Sequence, residues 1–181
     1  MTPRILLSDG RYFDFTRPDG VVSIEVIARS LSRLCRFTGH MRPEVEHYSV
    51  AQHSVLVSRL VPAEFARQGL LHDIAEALIG DMAAPLKRLL PAYCEIEGRV
   101  ERELFKWFGL PDVLDPCVKY ADLVALATER RDLMPAQVVD DHESQEWAIT
   151  RGIPTAIAAI YPWPARAAEA AFLERYRELT P

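Results

Sequence analysis

Apolar positions keep a strand-like rhythm at the start of the chain and a helical one from Ser23 onward. Ile5-Leu6-Leu7 and Tyr12-Phe13-Asp14-Phe15 flank Ser8-Asp9-Gly10-Arg11. Asp-Gly between short apolar runs predicts a hairpin, because Gly accepts the positive φ of a tight turn. Two strands alone are marginally stable, so the hairpin is expected to pack on the rest of the domain. Arg17-Pro18-Asp19-Gly20 ends it. Ile24, Ile27, Ala28, Leu31, Leu34 and Cys35 then recur at helical spacing behind Ser23, a suitable N-cap, and Gly39 can close the helix after Arg36-Phe37-Thr38. A polar loop, 40–48, leads to Ser49, the cap of a second helix with Val50, Val57, Leu60 and Val61 on its apolar side and His53 among them. Pro62 opens a third predicted helix, which runs unbroken through Phe65, Leu70 and Leu71 to Gly80.

The second half reads as further helices separated by prolines. Pro85 to Pro91 suits a short one, and Tyr93, Ile96, Val100, Leu104, Trp107 and Phe108 line a long one stopped by Gly109 and Pro111. Asp115-Pro116 caps a helix carrying Val118, Ala121, Asp122, Ala125, Leu126 and Leu133, closed before Pro135. The stretch 136–163, with Asp140, Asp141, Glu143 and Glu146, predicts a surface excursion containing one short helix. Pro164 then begins an Ala-rich terminal helix through Leu173 and Tyr176. The expected fold is all-α, a helical bundle with a short N-terminal β-hairpin. It forms a single domain over 1–181: hairpin 1–18, core 20–135, and C-terminal excursion and helix 136–181.

Bulk properties narrow the function. A chain of 181 residues that is 49% hydrophobic and 26% charged is ordinary for one globular domain. A net charge of -5 argues against a nucleic-acid polymer as partner. No apolar run is long enough for a signal peptide or a membrane span, so a cytoplasmic protein without membrane contact is expected. Cys35, Cys94 and Cys117 are odd in number and outside any CxxC pattern, which predicts small buried thiols.

Gly69-Leu70-Leu71-His72-Asp73-Ile74-Ala75-Glu76 concentrates the chemistry. Adjacent helical residues project in neighbouring directions, so His72 and Asp73 can reach one ion together. A carboxylate on an apolar helix is costly unless a cation or hydrogen bonds compensate it. His53 lies on the apolar side of its helix, and Asp122 sits amid Ala121, Leu123, Val124 and Ala125. Two imidazoles and two carboxylates suit one divalent transition metal ion (Co, Mn, Zn, Fe or Ni) better than magnesium or calcium. Each residue also has a plainer reading: a histidine on an apolar face is commonly a hydrogen-bonded core residue.

Together, His53, His72-Asp73 and Asp122 resemble the H…HD…D signature of the HD superfamily of metal-dependent phosphohydrolases. Tyr48-Ser49-Val50-Ala51-Gln52-His53-Ser54, Leu70-Leu71-His72-Asp73-Ile74-Ala75-Glu76-Ala77 and Gly80-Asp81-Met82-Ala83-Ala84-Pro85-Leu86-Lys87 look like successive blocks of its 5'-deoxynucleotidase-like branch. The resemblance covers about residues 20 to 135. It implies that His53, His72, Asp73 and Asp122 are metal ligands, that Glu76 handles the attacking water, and that Asp81 stands beside the substrate phosphate. Arg36 matches an arginine that contacts phosphate. A tryptophan follows that arginine in the deoxynucleotidases and helps discriminate the sugar, whereas Phe37 stands here and the loop before His53 is slightly longer.

From side-chain chemistry, Glu76 shares a helix face with His72 and Asp73, and could accept a proton from water or orient His72. Asp81 could protonate a leaving oxygen or simply serve the turn after Gly80. Arg36 offers a fork matched to phosphate, or is a solvated cation near a helix C-terminus. Lys87 is a further phosphate contact or a surface residue, and Phe37 could stack on substrate or pack in the core. His40 and His47 are pocket residues on a loop, and His142 is a surface residue. The expected activity is release of phosphate from a deoxynucleoside 5'-monophosphate. A triphosphohydrolase acting on a dNTP, and a non-catalytic nucleotide-binding module, are the alternatives. A homo-oligomer is expected from the long apolar-faced helices and the resemblance.

Overall fold

A computed structural model describes residues 3–136 and 147–180. The described residues are mostly helical, with a two-stranded antiparallel hairpin at the N-terminus. Strand β1, Arg4–Leu6, pairs with β2, Tyr12–Asp14, in the register Ile5 to Phe13. Phe13 and Leu7 drop into the main core while Leu6 and Tyr12 face solvent, so the hairpin packs on the helices as expected.

Helix α1, Ile24–Arg33, is capped by Ser23, whose side chain accepts from Val26 N. A 3-10 turn, Arg36–Gly39, comes next. The loop it opens is closed at its base by an isolated bridge between Cys35 and Ser49 and by Arg36 N donating to Tyr48 O at 2.9 Å. Helix α2, Val50–Leu60, is capped by Ser49. The sequence pattern predicts a one-sided apolar stripe for α2, but the helix is buried nearly all round, against α1 and the helical segments Ala66–Leu71, Pro116–Leu133 and Ala165–Glu178. Its polar residues are small or tied off: Gln52 bonds Tyr161 O and Trp163 N, and Ser58 accepts from Arg175.

The third predicted helix is divided. A 3-10 turn, Ala63–Phe65, leads into α3, Ala66–Leu71, and α4, Glu76–Ile79, begins after four residues. Across the junction the chain keeps winding but tightens to i to i+3 bonds. Ile74 N bonds Leu71 O, Glu76 N bonds Asp73 O, and Leu78 N bonds Ala75 O, at 3.1, 3.1 and 2.9 Å. His72 and Asp73 therefore occupy a 3-10 junction, not the middle of a long α-helix. No proline marks it, which is why the apolar pattern reads straight through.

Helices α5, Ala84–Lys87, α6, Pro91–Trp107, and α7, Pro116–Leu133, match the expected segments. Asp115 caps α7 by accepting from Cys117 N at 2.9 Å. Trp107, expected on the apolar face of α6, is 53% exposed, and Val100, Leu104 and Phe105 supply the buried face. The segment 152–164 runs in extended form over α2 and α7, held by Thr128 Oγ1 accepting from Ala156 N and by Asp132 Oδ2 accepting from Ile160 N. Helix α8, Ala165–Glu178, starts after Pro164 as expected.

Asp140, Asp141, His142, Glu143 and Glu146 lie outside the described residues. The three cysteines are free, but Cys94 is exposed and Cys35 and Cys117 are only half-buried, against the expectation of buried thiols. Among the described residues no helix is long and apolar enough to cross a membrane.

The core has a main cluster joining the hairpin to α1, α2, α3, α4, α6 and α8, and a smaller one of Val57, Val61, Ala66, Val118, Ala121 and Ala125. The smaller cluster holds α7 against α2 and α3. The three segments that bear His53, His72-Asp73 and Asp122 thus meet on an apolar bed.

Candidate metal centre

His53 is fully buried on the central helix. Its Nδ1 donates to Glu129 Oε1 at 2.7 Å, which turns Nε2 toward the α3–α4 junction and α7. His72 Nδ1 donates to Gly69 O at 2.9 Å, one turn back, and turns its own Nε2 the same way. Gly69 is where α3 crosses α2: a Cβ there would lie 3.1 Å from both Ser58 Cα and Val61 Cγ2. That close approach brings the two histidines together.

The two Nε2 atoms stand 3.3 Å apart. Asp122 Oδ1 lies 3.3 Å from His53 Nε2 and 3.9 Å from His72 Nε2, while Asp73 Oδ2 lies 3.5 and 3.2 Å from them. Ligand atoms of His53, His72 and Asp122 all fall within 4.8 Å of one another. With both Nδ1 positions committed as donors, a proton on His53 Nε2 can point at one acceptor, while three surround it. A divalent cation satisfies all of them at once, so the donor set fits one transition ion with mixed nitrogen and oxygen ligands.

Charges around this point are strongly perturbed. Burial and Arg36 oppose a charge on His53, yet Glu129 and Asp122 outweigh them and push it up to about 9. Burial likewise resists ionisation of Asp73 and Asp122, but the neighbouring histidines hold both carboxyls far below the usual range. Lys119 Nζ also donates to Asp122 Oδ2 at 2.7 Å.

Glu76 is pushed up to about 9 by burial and by the charges of Asp73 and Asp81. Its Oε2 is buried and has no hydrogen-bond partner among the described residues. Asp81 is raised, chiefly by burial and then by Asp73, although Arg36 works against it.

Arg36 is buried beside the centre, with Nη1 3.7 Å from Asp73 Oδ2 and Nη2 donating to Glu129 Oε2 at 3.2 Å. Burial opposes its charge, but Glu129 and Asp73 hold it well above the ordinary value. Among the described residues its Nε has no hydrogen-bond partner. Phe37 lies with its ring centroid 5.3 Å from Arg36 Cζ and 6.4 Å from the ring of Trp147.

Lys87 is paired with Glu97 at 2.7 Å. Both line a cleft of about 290 Å³ with His72, Asp73, Glu76, Cys94 and Glu101. The structure therefore brings His53, His72, Asp73, Asp122, Arg36, Glu76 and Asp81 into one electrostatic neighbourhood and leaves Lys87 across the cleft. His47 bonds Ser32 O at 2.9 Å and lines a separate groove with Arg42 and Trp163, and His40 is exposed.

Glu129 and Tyr48 are the residues the sequence reading misses. Glu129 is fully buried and accepts from His53, Arg36 and Tyr48, the last at 2.9 Å. Arg36 and His53 hold its carboxyl down to about 2, against the opposing effect of burial. A signal was present: Glu129 lies seven residues after Asp122, two helical turns along the same face.

No protein-family model matches the chain. It is 45% identical over 170 residues to the uncharacterized protein YfdR of Escherichia coli, a match covering 93% of this chain and 90% of YfdR. It is 32% identical over 137 residues to an uncharacterized protein of Rhodobacter capsulatus, covering 68% of this chain and 69% of that protein. On the strength of the first match, which spans nearly the whole of both chains, this chain belongs to the YfdR family.

Proposed function

We propose that the chain is a metal-dependent phosphohydrolase of the HD superfamily, acting on a small nucleotide, a deoxynucleoside 5'-monophosphate. One observation carries this reading. Ligand atoms of His53, His72 and Asp122 come within 4.8 Å of one another from three elements, Asp73 Oδ2 lies 3.5 and 3.2 Å from the two Nε2 atoms, and both Nδ1 atoms are tied off behind them. A divalent transition ion held there by His53, His72, Asp73 and Asp122 would polarise a phosphoryl oxygen and acidify a water.

The chain's own groups supply the proton transfers. Glu76 would accept a proton from the attacking water as the new oxygen–phosphorus bond forms, once a divalent ion at the centre offsets the charges of Asp73 and Asp81 that, with burial, hold its carboxyl up. Asp81, raised by burial, gives its proton to the 5'-oxygen as the old phosphorus–oxygen bond breaks. Solvent then carries the proton from Glu76 to Asp81. Arg36 offers its guanidinium to the phosphate oxygens, and Phe37 with Trp147 meets the sugar and base.

A single phosphate suits the cleft better than a chain of three. Glu97 and Glu101 line it, and Lys87, the cation among its lining residues, is already paired with Glu97. Additional phosphates would meet like charge in a partly desolvated space. Product analysis after incubation of the metal-replete protein with dAMP and with dATP tests this: orthophosphate from dAMP is expected. Tripolyphosphate from dATP would instead assign a triphosphohydrolase. Tight binding without turnover across a nucleotide panel would make the chain a binding module, against which the juxtaposition of Glu76 and Asp81 with the full ligand set argues.

A further inference from the structure

We propose that Glu129 is a positioning residue that fixes the metal ligand His53 and the phosphate-facing Arg36 through one carboxylate, and thereby couples the two. The inference rests on the metal-centre reading above. Oε1 accepts from His53 Nδ1 at 2.7 Å and from Tyr48 OH at 2.9 Å, while Oε2 accepts from Arg36 Nη2 at 3.2 Å. All of this happens at a side chain with no exposure to solvent.

The arrangement decides which imidazole nitrogen can bind an ion. With a proton held on Nδ1 by a carboxylate, Nε2 is the atom left to ligate, and it points at His72, Asp73 and Asp122. Without an acceptor behind Nδ1, the neutral ring can carry its proton on Nε2 and block the site. The other oxygen holds Nη2 of Arg36, leaving Nη1 turned toward Asp73 and Nε without a hydrogen-bond partner among the described residues. Asp122 and Glu129 stand two turns apart on α7, so one helix supplies both a ligand and the anchor for another ligand.

A glutamine cannot replace this carboxylate. Glu129→Gln has the same shape but one acceptor oxygen. If that oxygen faces His53 and Tyr48, the amide N–H groups meet the donors of Arg36. If it faces Arg36, they meet His53 Nδ1 and force the wrong tautomer.

The full chain and Glu129→Gln are compared by calorimetric titration with Co²⁺. The Zn²⁺-loaded proteins are compared by nitrogen-15 NMR of the imidazoles. The variant is expected to lose about ten-fold or more in Co²⁺ affinity. The wild type is expected to show a downfield, slowly exchanging Nδ1 proton on His53 that shifts or vanishes in the variant. The corresponding proton of His72, whose acceptor is the Gly69 carbonyl, should stay unchanged and serves as the control.

Co²⁺ affinity within about three-fold of wild type, or an unaltered His53 signal, would overturn the role of Glu129. Should the variant fail to fold, the wild-type spectrum alone decides: a His53 ring ligating through Nδ1, with Nε2 protonated, would refute the proposal. Failure of the wild type to bind Co²⁺ is a separate result, which removes the metal centre itself. Co²⁺ binding without nucleotide hydrolysis would remove the phosphohydrolase reading and leave Glu129 in place.

Discussion

Arg36 reaches its buried position through backbone that side chains normally avoid. Phe37 and Thr38 have φ of 54° and 50°, and Gly39 after them has 82°. Left-handed conformations cost a non-glycine residue about 1–3 kcal/mol each. The bend persists because the loop is pinned at both ends: Arg36 N bonds Tyr48 O, and Arg42 N bonds Leu133 O at 2.9 Å. Thr38 is exposed, and among the described residues its hydroxyl bonds only the carbonyl of Phe37. Thr38→Gly should therefore stabilise the protein by about 1 kcal/mol, read as a rise in the urea midpoint with unchanged slope. A fall would show that the bend is not strained. His53, His72, Asp73 and Asp122 stand out in the sequence as candidates because each is an ionisable residue among apolar neighbours, whereas Arg36 and Phe37 are singled out by the resemblance. Glu129 is not, because it looks like a surface acid beside Arg130 and Arg131 on a helix of mixed polarity. Its burial depends on where three other segments pack.

Among the elements, the α3–α4 junction decides the site. Helix starts agree closely with caps and prolines at Ser23, Ser49, Asp115 and Pro164, whereas α1 ends at Arg33, where Leu34 turns extended, short of the stop expected at Gly39. The tightening at 72–75 is invisible to hydrophobic periodicity, since α and 3-10 windings put nearly the same residues on the buried face over one turn. The complete burial of α2 is equally hidden, because it depends on neighbours that close over its polar side. Gly69 is the sensitive point. Gly69→Ala places a methyl 3.1 Å from the backbone of Ser58 and must separate α2 from α3. It should destabilise by about 1–3 kcal/mol and weaken ion binding as well, because His72 is anchored to the Gly69 carbonyl. Thermal unfolding with and without Co²⁺ checks both effects. A variant that unfolds earlier yet keeps wild-type ion affinity would show that the histidines do not depend on this crossing.

For the molecule as a whole, the centre should link folding to pH. His53 and Glu76, each at about 9 in the folded chain against ordinary values of 6.5 and 4.5, bind protons more tightly folded than unfolded. Their stabilisation is fully present below the ordinary values and is lost as pH rises through about 9. Asp73 and Asp122 act in the opposite sense: their contribution is present above the ordinary carboxylate value of 3.8 and is lost as pH falls toward their depressed folded values. The metal-free protein should therefore lose stability as pH rises from about 6.5 to about 9. A cation that displaces the His53 proton should oppose that loss, so the rise in Tm on adding Mn²⁺ should grow over the same interval. A rise that does not change with pH would remove His53 from the ion-binding step.

The proposed centre holds one divalent ion with four side chains on three segments, and the decisive experiment is metal analysis of the purified chain beside its Asp73→Ala variant. Asp73 Oδ2 faces both imidazoles and the Asp73 side chain is 23% exposed, so its loss removes the proposed ligand without opening the core. One equivalent of a divalent transition ion in the wild type, and none retained by a variant that still folds, is the predicted result. A wild type that binds no such ion, or a variant that holds it as well as the parent does, would contradict the account.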